Sequence, residues 1–143
     1  MKKRCTIIAV CIALIICAST LVFTRNRGDV SNVNRIAGYS GLYGDALINE
    51  AFNVVEKTFA KEFKGCKLTE LRYDEEVENK FAEKIMKTAS EKNRELIIIL
   101  SSFDTDENGG DGGFNPNDTY TNWQWHLERT ADKKSWEIIS WGY

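Results

Sequence analysis

Oxygen-bearing side chains crowd one short stretch of the chain, Asp104-Thr-Asp106-Glu-Asn108-Gly109. Oxygen ligands at alternate positions followed by a turn glycine match the opening half of a calcium-binding loop. The closing position would fall on Asn115, not on the bidentate glutamate such a loop needs, and a strand precedes the loop instead of a helix. It is therefore not an EF-hand. Asp104, Asp106, Asn108 and Asp111 could still form a looser oxygen cage for calcium. The competing reading is a solvated hairpin loop in which Asp, Asn and Gly serve turn geometry. The loop is long, with 14 residues between Asp104 and Thr119, and unstructured loops of that size are often functional. Asn108, Asp111, Phe114, Asn115 and Tyr120 are the expected partner contacts.

Acid–base and nucleophilic candidates are sparse. His126 is the only histidine, and its place on the polar side of an alternating strand makes it an ordinary surface or edge residue. Cys66 is the only cysteine outside the N-terminal segment, so no intrachain disulfide can form in the rest of the chain. It reads as a small, partly buried residue, with an intermolecular bridge as the alternative. A Cys66–His126 dyad would need the two to meet in space, and nothing in their spacing requires that. Glu128 is the carboxylate to consider as a general base. No nucleophile elbow, zinc-ligand spacing or phosphate loop is present.

Aromatic side chains are the third group with chemical potential. Trp123, Trp125, Trp136 and Trp141 all fall in the last quarter of the chain. They supply core area first. Together with Tyr73 they could also line a concave apolar pocket. Tyr120 and Tyr143 could add polar tips.

The elements that must position these residues follow from periodicity. Leu47, Ile48, Ala51, Phe52, Val55, Phe59 and Phe63 trace one face of a helix opening at Gly44 or Asp45 and closing at Gly65. Residues 66–73 alternate weakly and predict a short strand near a sheet edge, with Cys66, Leu68, Glu70 and Arg72 on one side. Asp74 is an N-cap for a second helix, whose Val77, Phe81, Ile85 and Ala89 step by four. Leu96–Leu100 predicts a strand covered on both faces. Thr119–Thr130 alternates, with Trp123, Trp125 and Leu127 inward and Asn122, Gln124, His126 and Glu128 outward. A turn over 131–134 leads to a last strand. There Ile138 and Ile139 break the alternation, through either a bulge or two covered faces. A bulge would place Trp136, Ile138, Ile139, Trp141 and Tyr143 on a common face. The order is α-β-α-β-β-β, an α+β domain with a mostly antiparallel sheet and both helices on its apolar side.

Residues 6–23 carry no charge and follow Lys2, Lys3 and Arg4. The run is long enough to span a bilayer and long for a signal-peptide core. An uncleaved anchor is the expectation, with a signal peptide cleaved after Ala18-Ser19 as the alternative. The basic start places the C-terminal domain outside the cell membrane. A secreted protein follows if cleavage occurs. Ile16 before Cys17 departs from the small residue that lipid attachment wants. Residues 25–42 hold three glycines and two serines and read as a linker. Arg27-Gly28-Asp29 within it is a chance match to an integrin tripeptide. Past residue 24, 16 basic and 21 acidic side chains leave a net charge of −5. That balance argues against nucleic acid as a partner. Asn117-Asp118-Thr119 is a glycosylation sequon only in a eukaryotic secretory pathway.

The stretches 53–76, 97–125 and 136–143 resemble a group of small exported domains of Gram-positive bacteria, often lipoproteins. The most specific pieces are GGDGGFNPNDTYTNW and the closing WGY. The resemblance implies an NTF2/cystatin-like cone, with helices across a curved antiparallel sheet, over residues 43–143. It carries over no catalytic residue and no cofactor. The expected function is a membrane-tethered extracytoplasmic binding domain without catalytic activity. It would hold a protein or small ligand with the long loop and the neighbouring sheet face. The alternative is a small NTF2-like hydrolase or isomerase with a sheet–helix cavity. A closed cavity holding an ionisable group would favour the second, and a filled cone the first.

Overall fold

A computed structural model describes residues 27–81, 94–130 and 134–143. The expected membrane segment at 6–23, the far half of the second helix and most of the 131–134 turn lie outside the described residues. Among the described residues no helix is long and apolar enough to cross a membrane. The chain runs β1 (Asn34–Ile36), α1 (Asp45–Glu62), β2 (Cys66–Tyr73), α2 (residues 75–81), β3 (Arg94–Thr105), β4 (Thr119–Thr130) and β5 (Glu137–Gly142). The five strands form one sheet in the order β1-β2-β3-β4-β5. β2 to β5 pair antiparallel, whereas β1 lies parallel to β2. The class is α+β, as expected, but the sheet is mixed and not wholly antiparallel.

The fifth strand comes from the stretch expected to be a linker. The Gly28 N–H donates to Ala60 O at 3.1 Å. Asp29 brackets the start of β2, its N–H donating to Cys66 O (2.8 Å) and its carbonyl accepting from Leu68 N (2.9 Å). Composition hid this, because small polar residues suit an edge strand as well as a tether. Arg35 then ties β1 to α1 through Glu56 (2.7 Å) and Asn53 (2.9 Å). The Arg27-Gly28-Asp29 tripeptide is no protruding loop, since Gly28 is packed against Phe59 and Phe63.

α1 forms where its apolar stripe requires it. Ile48, Ala51, Phe52, Val55 and Phe59 are wholly buried, and Asp45 and Lys61 suit the two ends of the helix dipole. The helix ends at Glu62 with Phe63 as its C-cap, and Gly65, at φ +70°, then turns the chain into β2, where a Cβ would stand 2.5 Å from Asp106 Oδ2. Both the left-handed backbone and the close approach demand glycine. Asp74 caps α2, its Oδ1 accepting from Glu76 N at 3.1 Å and Val77 N at 3.4 Å.

Three bulges set which side chains enter the core. In β2 the ladder shifts between Leu68 and Glu70. Thr69 is the extra residue, and its hydroxyl donates to Ser102 O at 2.9 Å. Cys66 and Leu68 before the bulge, and Leu71 and Tyr73 after it, therefore reach the same core. The strict alternation expected there does not hold, which explains the weak pattern. In β4 the bulge falls between Tyr120 and Trp123, where Asn122 takes φ +57°. In β5, Leu127 pairs with Ile138 and His126 with Ser140, leaving Ile139 as the extra residue. The last-strand irregularity is thus a bulge. Ile138 packs on the core, but Ile139 does not share its face and is exposed.

The inward register of β4 is as expected. Trp125 and Leu127 are wholly buried and Trp123 is half-buried against the core, while Asn122 is exposed. β3 is covered on both sides: Ile97 and Ile99 belong to the main core, and Ile98 and Leu100 are also buried. The helices, however, do not share one face. Among the described residues the core takes its helical members from α1 alone. Phe81 of α2 instead meets His126, 5.9 Å away on the reverse side of β4.

Candidate functional site: an aromatic end and its glycine loop

The end of the sheet that begins β2 and β4 carries a graded stack of rings. Phe103 and Trp125 form its floor. Phe63, at the end of α1, lies 5.2 Å from Trp125, 5.5 Å from Phe103, 5.6 Å from Phe114 and 6.1 Å from Trp123. Tyr120 stacks on Phe103 at 5.1 Å. The outermost rings are Trp141, 45% exposed and 5.5 Å from Trp125, and Tyr143, 75% exposed and 5.2 Å from Trp123. The bulges make this possible, since Tyr120 and Trp123 would point to opposite faces of an unbroken strand. The Trp123 indole N–H is shut off from solvent and meets no acceptor.

The glycine loop is folded onto this stack. Asp106 Oδ1 accepts from Asn108 N (2.9 Å) and Gly110 N (3.0 Å). The Thr105 hydroxyl lies 2.7 Å from Asn115 O and accepts from Asp118 N at 2.9 Å. Phe114 plugs the loop into the rings of Phe63, Phe103, Tyr120 and Trp123. Tyr120 Oη accepts from Asn115 N at 3.1 Å. Of the expected partner contacts, Asn108, Asp111 and Asn115 are exposed, while Phe114 and Tyr120 are half-buried.

Two of the four expected calcium ligands have other tasks. Asp104 accepts from the Thr119 hydroxyl at 2.7 Å, Asp106 closes its own turn, and Asp111 is exposed. Among the described residues no group of three or more His, Cys, Asp or Glu side chains is placed to hold a metal ion. Beside the loop lies an open cleft of about 600 Å³, lined by Arg27, Asp29, Lys67, Asp106, Glu107 and Asn117 among others. Its charges are of both signs.

The expected ligand set splits. Trp123, Trp125 and Trp141 share the aromatic end. Tyr73 and Trp136 stand apart from it, joined through Tyr43 at 6.2 Å and 5.7 Å. Trp136 is held there by its N–H to Leu47 O (3.0 Å) and by Arg129 over its ring (5.0 Å). Trp125 is structural, its N–H donating to Ser101 Oγ at 2.9 Å.

Cys66 and His126 do not meet. Cys66 pairs with Thr105 and His126 with Ile98 on β3, seven residues or about 23 Å apart along the strand. Burial, with Asp106 and Asp111 nearby, pushes the Cys66 thiol up to about 11, so it is no thiolate nucleophile at neutral pH. Burial lowers the His126 pKa. Glu128 pairs with Arg94 at 2.7 Å and lines a small cleft of about 230 Å³ with Thr130, Ser135 and Glu137.

Sequence reasoning missed Glu78. It is only 6% exposed, and its Oε2 has no hydrogen-bond partner. Burial pushes its carboxyl up to about 7, against hydrogen bonds from the Tyr73 hydroxyl and the Ile98 N–H, with Glu75 adding to the rise. Tyr43 stands over it, raised by burial and donating to Leu96 O at 2.5 Å. The available clue was position: Glu78 stands three residues before Phe81 in α2, where a carboxylate is out of place.

These features define an α+β domain with a side-chain-filled core and an aromatic end. In comparisons with known proteins the chain matches no family model, no curated protein and no solved structure.

Proposed function

We propose that the protein is a membrane-tethered extracytoplasmic binding domain of NTF2/cystatin-like kind, without catalytic activity. Residues 6–23 hold it, and the aromatic end with its glycine loop meets the partner. The observation that carries the reading is the contrast between interior and rim. Phe52, Val55, Phe59, Phe103, Trp125 and Leu127 fill the space between α1 and the sheet and are wholly buried. The adjoining Trp141 and Tyr143 are left in solvent. Exposed aromatic residues over a rigid packed base are what recognition surfaces use. A photoreactive side chain at position 143 of the full-length chain in its own envelope tests it. A discrete product that W141S removes is expected. The same product from position 39, beyond Tyr73 and away from the aromatic end, would refute it.

A second reading, a small hydrolase or isomerase, is favoured by Glu78. A carboxyl group whose pKa burial raises can donate a proton near neutral pH, although Glu78 lines neither cleft described above. Turnover of an ester or an enolisable ketone that E78Q abolishes would establish it.

A further inference from the structure

We propose that the aromatic end docks on the bilayer that holds the protein's own anchor, seating Trp141 and Tyr143 in the lipid interface. This rests on the membrane-tethered reading and names the partner of that same surface. The first observation is the length of free chain. The uncharged run ends at Phe23, and Gly28 is already packed against Phe59 and Phe63 and bonded to Ala60 O. Five residue steps reach at most about 18 Å. A tether running to residue 42 would have reached about 65 Å. A domain of this size is about 35 Å across, so the short link cannot let it turn over. The end that carries Gly28 faces the membrane.

The second observation is what that end carries. Phe63, whose carbonyl lies 2.9 Å from a Cβ built on Gly28, is also 6.2 Å from Trp141. Gly28, where the link joins the fold, and the exposed rings are thus separated by one side chain. Tryptophan and tyrosine are the residues that settle at the membrane–water interface, where a ring with a polar edge fits the headgroup level. Charges at this end include Lys61, Lys64, Lys67, Glu107 and Asp111, all exposed. The mixture gives no polybasic attraction, so the occupant is a neutral headgroup and upper-chain layer rather than an anionic surface. The exposed Tyr39 and Leu42 lie toward the opposite end, near Tyr73, and face away.

The experiment uses the full-length chain in phosphatidylcholine vesicles whose acyl chains carry bromine just below the headgroup. Trp125 and Trp136 are buried, so contact quenching reports on Trp141 and, less, on Trp123. The chain is expected to sediment with the vesicles and to show quenching that 0.5 M salt leaves unchanged. W141F is expected to cut the quenched intensity at least about twofold, and Y143S to reduce it, while Y39S leaves it alone. Sedimentation with no quenching, or with quenching that W141F does not change, overturns the docking and leaves the tethered reading in place. A chain that stays in the supernatant overturns both.

Discussion

Glu78→Gln should remove a pH dependence of stability that the fold builds into α2. In the folded chain burial holds the Glu78 carboxyl at about 7, against an ordinary value of 4.5. The raised value means the folded state prefers the protonated form. Below pH 4.5 the group is protonated whether folded or not, and its contribution is fully present. As pH rises through 7 the folded state must accept a buried charge, and that contribution is lost. The gap corresponds to about 3 kcal/mol. The groups facing the carboxyl are the Tyr43 and Tyr73 phenols, the Ile98 N–H and Glu75, and both phenols are raised by burial, Tyr73 to about 12. Neither titrates in this window. His126 acts in the opposite sense: its depressed pKa destabilises the fold as pH falls through the ordinary histidine value. Comparison of wild type with E78Q cancels that term. Urea unfolding at pH 5 and pH 8 measures it. The E78Q protein should gain about 2.5 kcal/mol on wild type between the two pH values, and any cost of the new amide's unmade hydrogen bonds, being independent of pH, drops out of that difference. Equal pH dependence in the two proteins would show that Glu78 is solvated, and the buried-carboxyl account would be wrong.

The other predictions concern the loop and the stitched N-terminal strand. Phe114→Ala should cost about 3 kcal/mol in denaturant unfolding, as a half-buried plug among four rings is lost, and should raise proteolysis within 106–118. Gly109→Ala should do at least as much damage, because φ is +70° and a Cβ would collide with the Phe114 carbonyl. Gly28→Ala should destabilise by about 1–3 kcal/mol, since the new Cβ would stand 2.5 Å from Phe59 O. A thermal midpoint within a degree of wild type would show that residue 28 lies outside the folded unit. Millimolar calcium should leave the melting curve unchanged, because the Asp104 and Asp106 oxygens already serve Thr119 and the loop amides. A rise in midpoint on adding calcium would show that the loop binds the metal.

How far the sequence could be read depended on whether a local pattern decided the outcome. α1 was legible from end to end because a stripe of seven apolar residues and a closing glycine agree with one another. The inward set of β4 was legible for the same reason. The bulges were less so. Ile138-Ile139 betrayed the one in β5 by breaking an alternation, whereas Thr69 and Asn122 are unremarkable residues whose role is set by the neighbouring strand. β1 was invisible, since three exposed residues have no inside to mark. At the site, the rings were easy to find but their division was not. Trp136 and Trp123 look alike in the sequence, and only the fold assigns one to Leu47 O and Arg129 and the other to Phe63 and Tyr143.

The incorporation of residues 28–37 into the fold limits how freely the domain could move on the anchor proposed at 6–23. A long flexible tether would give the domain free rotation and a high but undirected local concentration near the membrane. If residues 6–23 anchor the protein as proposed, a link of a few residues would make that anchor an orienting device. The faces then have different fates. The polar cleft beside Arg27 and Lys67 would then lie with the aromatic end near the bilayer, because it adjoins the start of β2. The exposed Ile139 would remain open to larger partners. Lengthening the link separates these roles experimentally. Twenty Gly-Ser residues inserted after Arg25 should leave folding unchanged and keep the protein in the membrane fraction. If the aromatic end holds the bilayer by its own affinity, contact quenching should survive the insertion. If the short link alone forces the contact, quenching should fall several-fold, because the effective concentration of the surface drops as the tether grows. Cysteine accessibility at position 39 distinguishes the cases independently. It should be equal in both proteins if docking is intrinsic, and lower in the lengthened one if the domain is released to tumble.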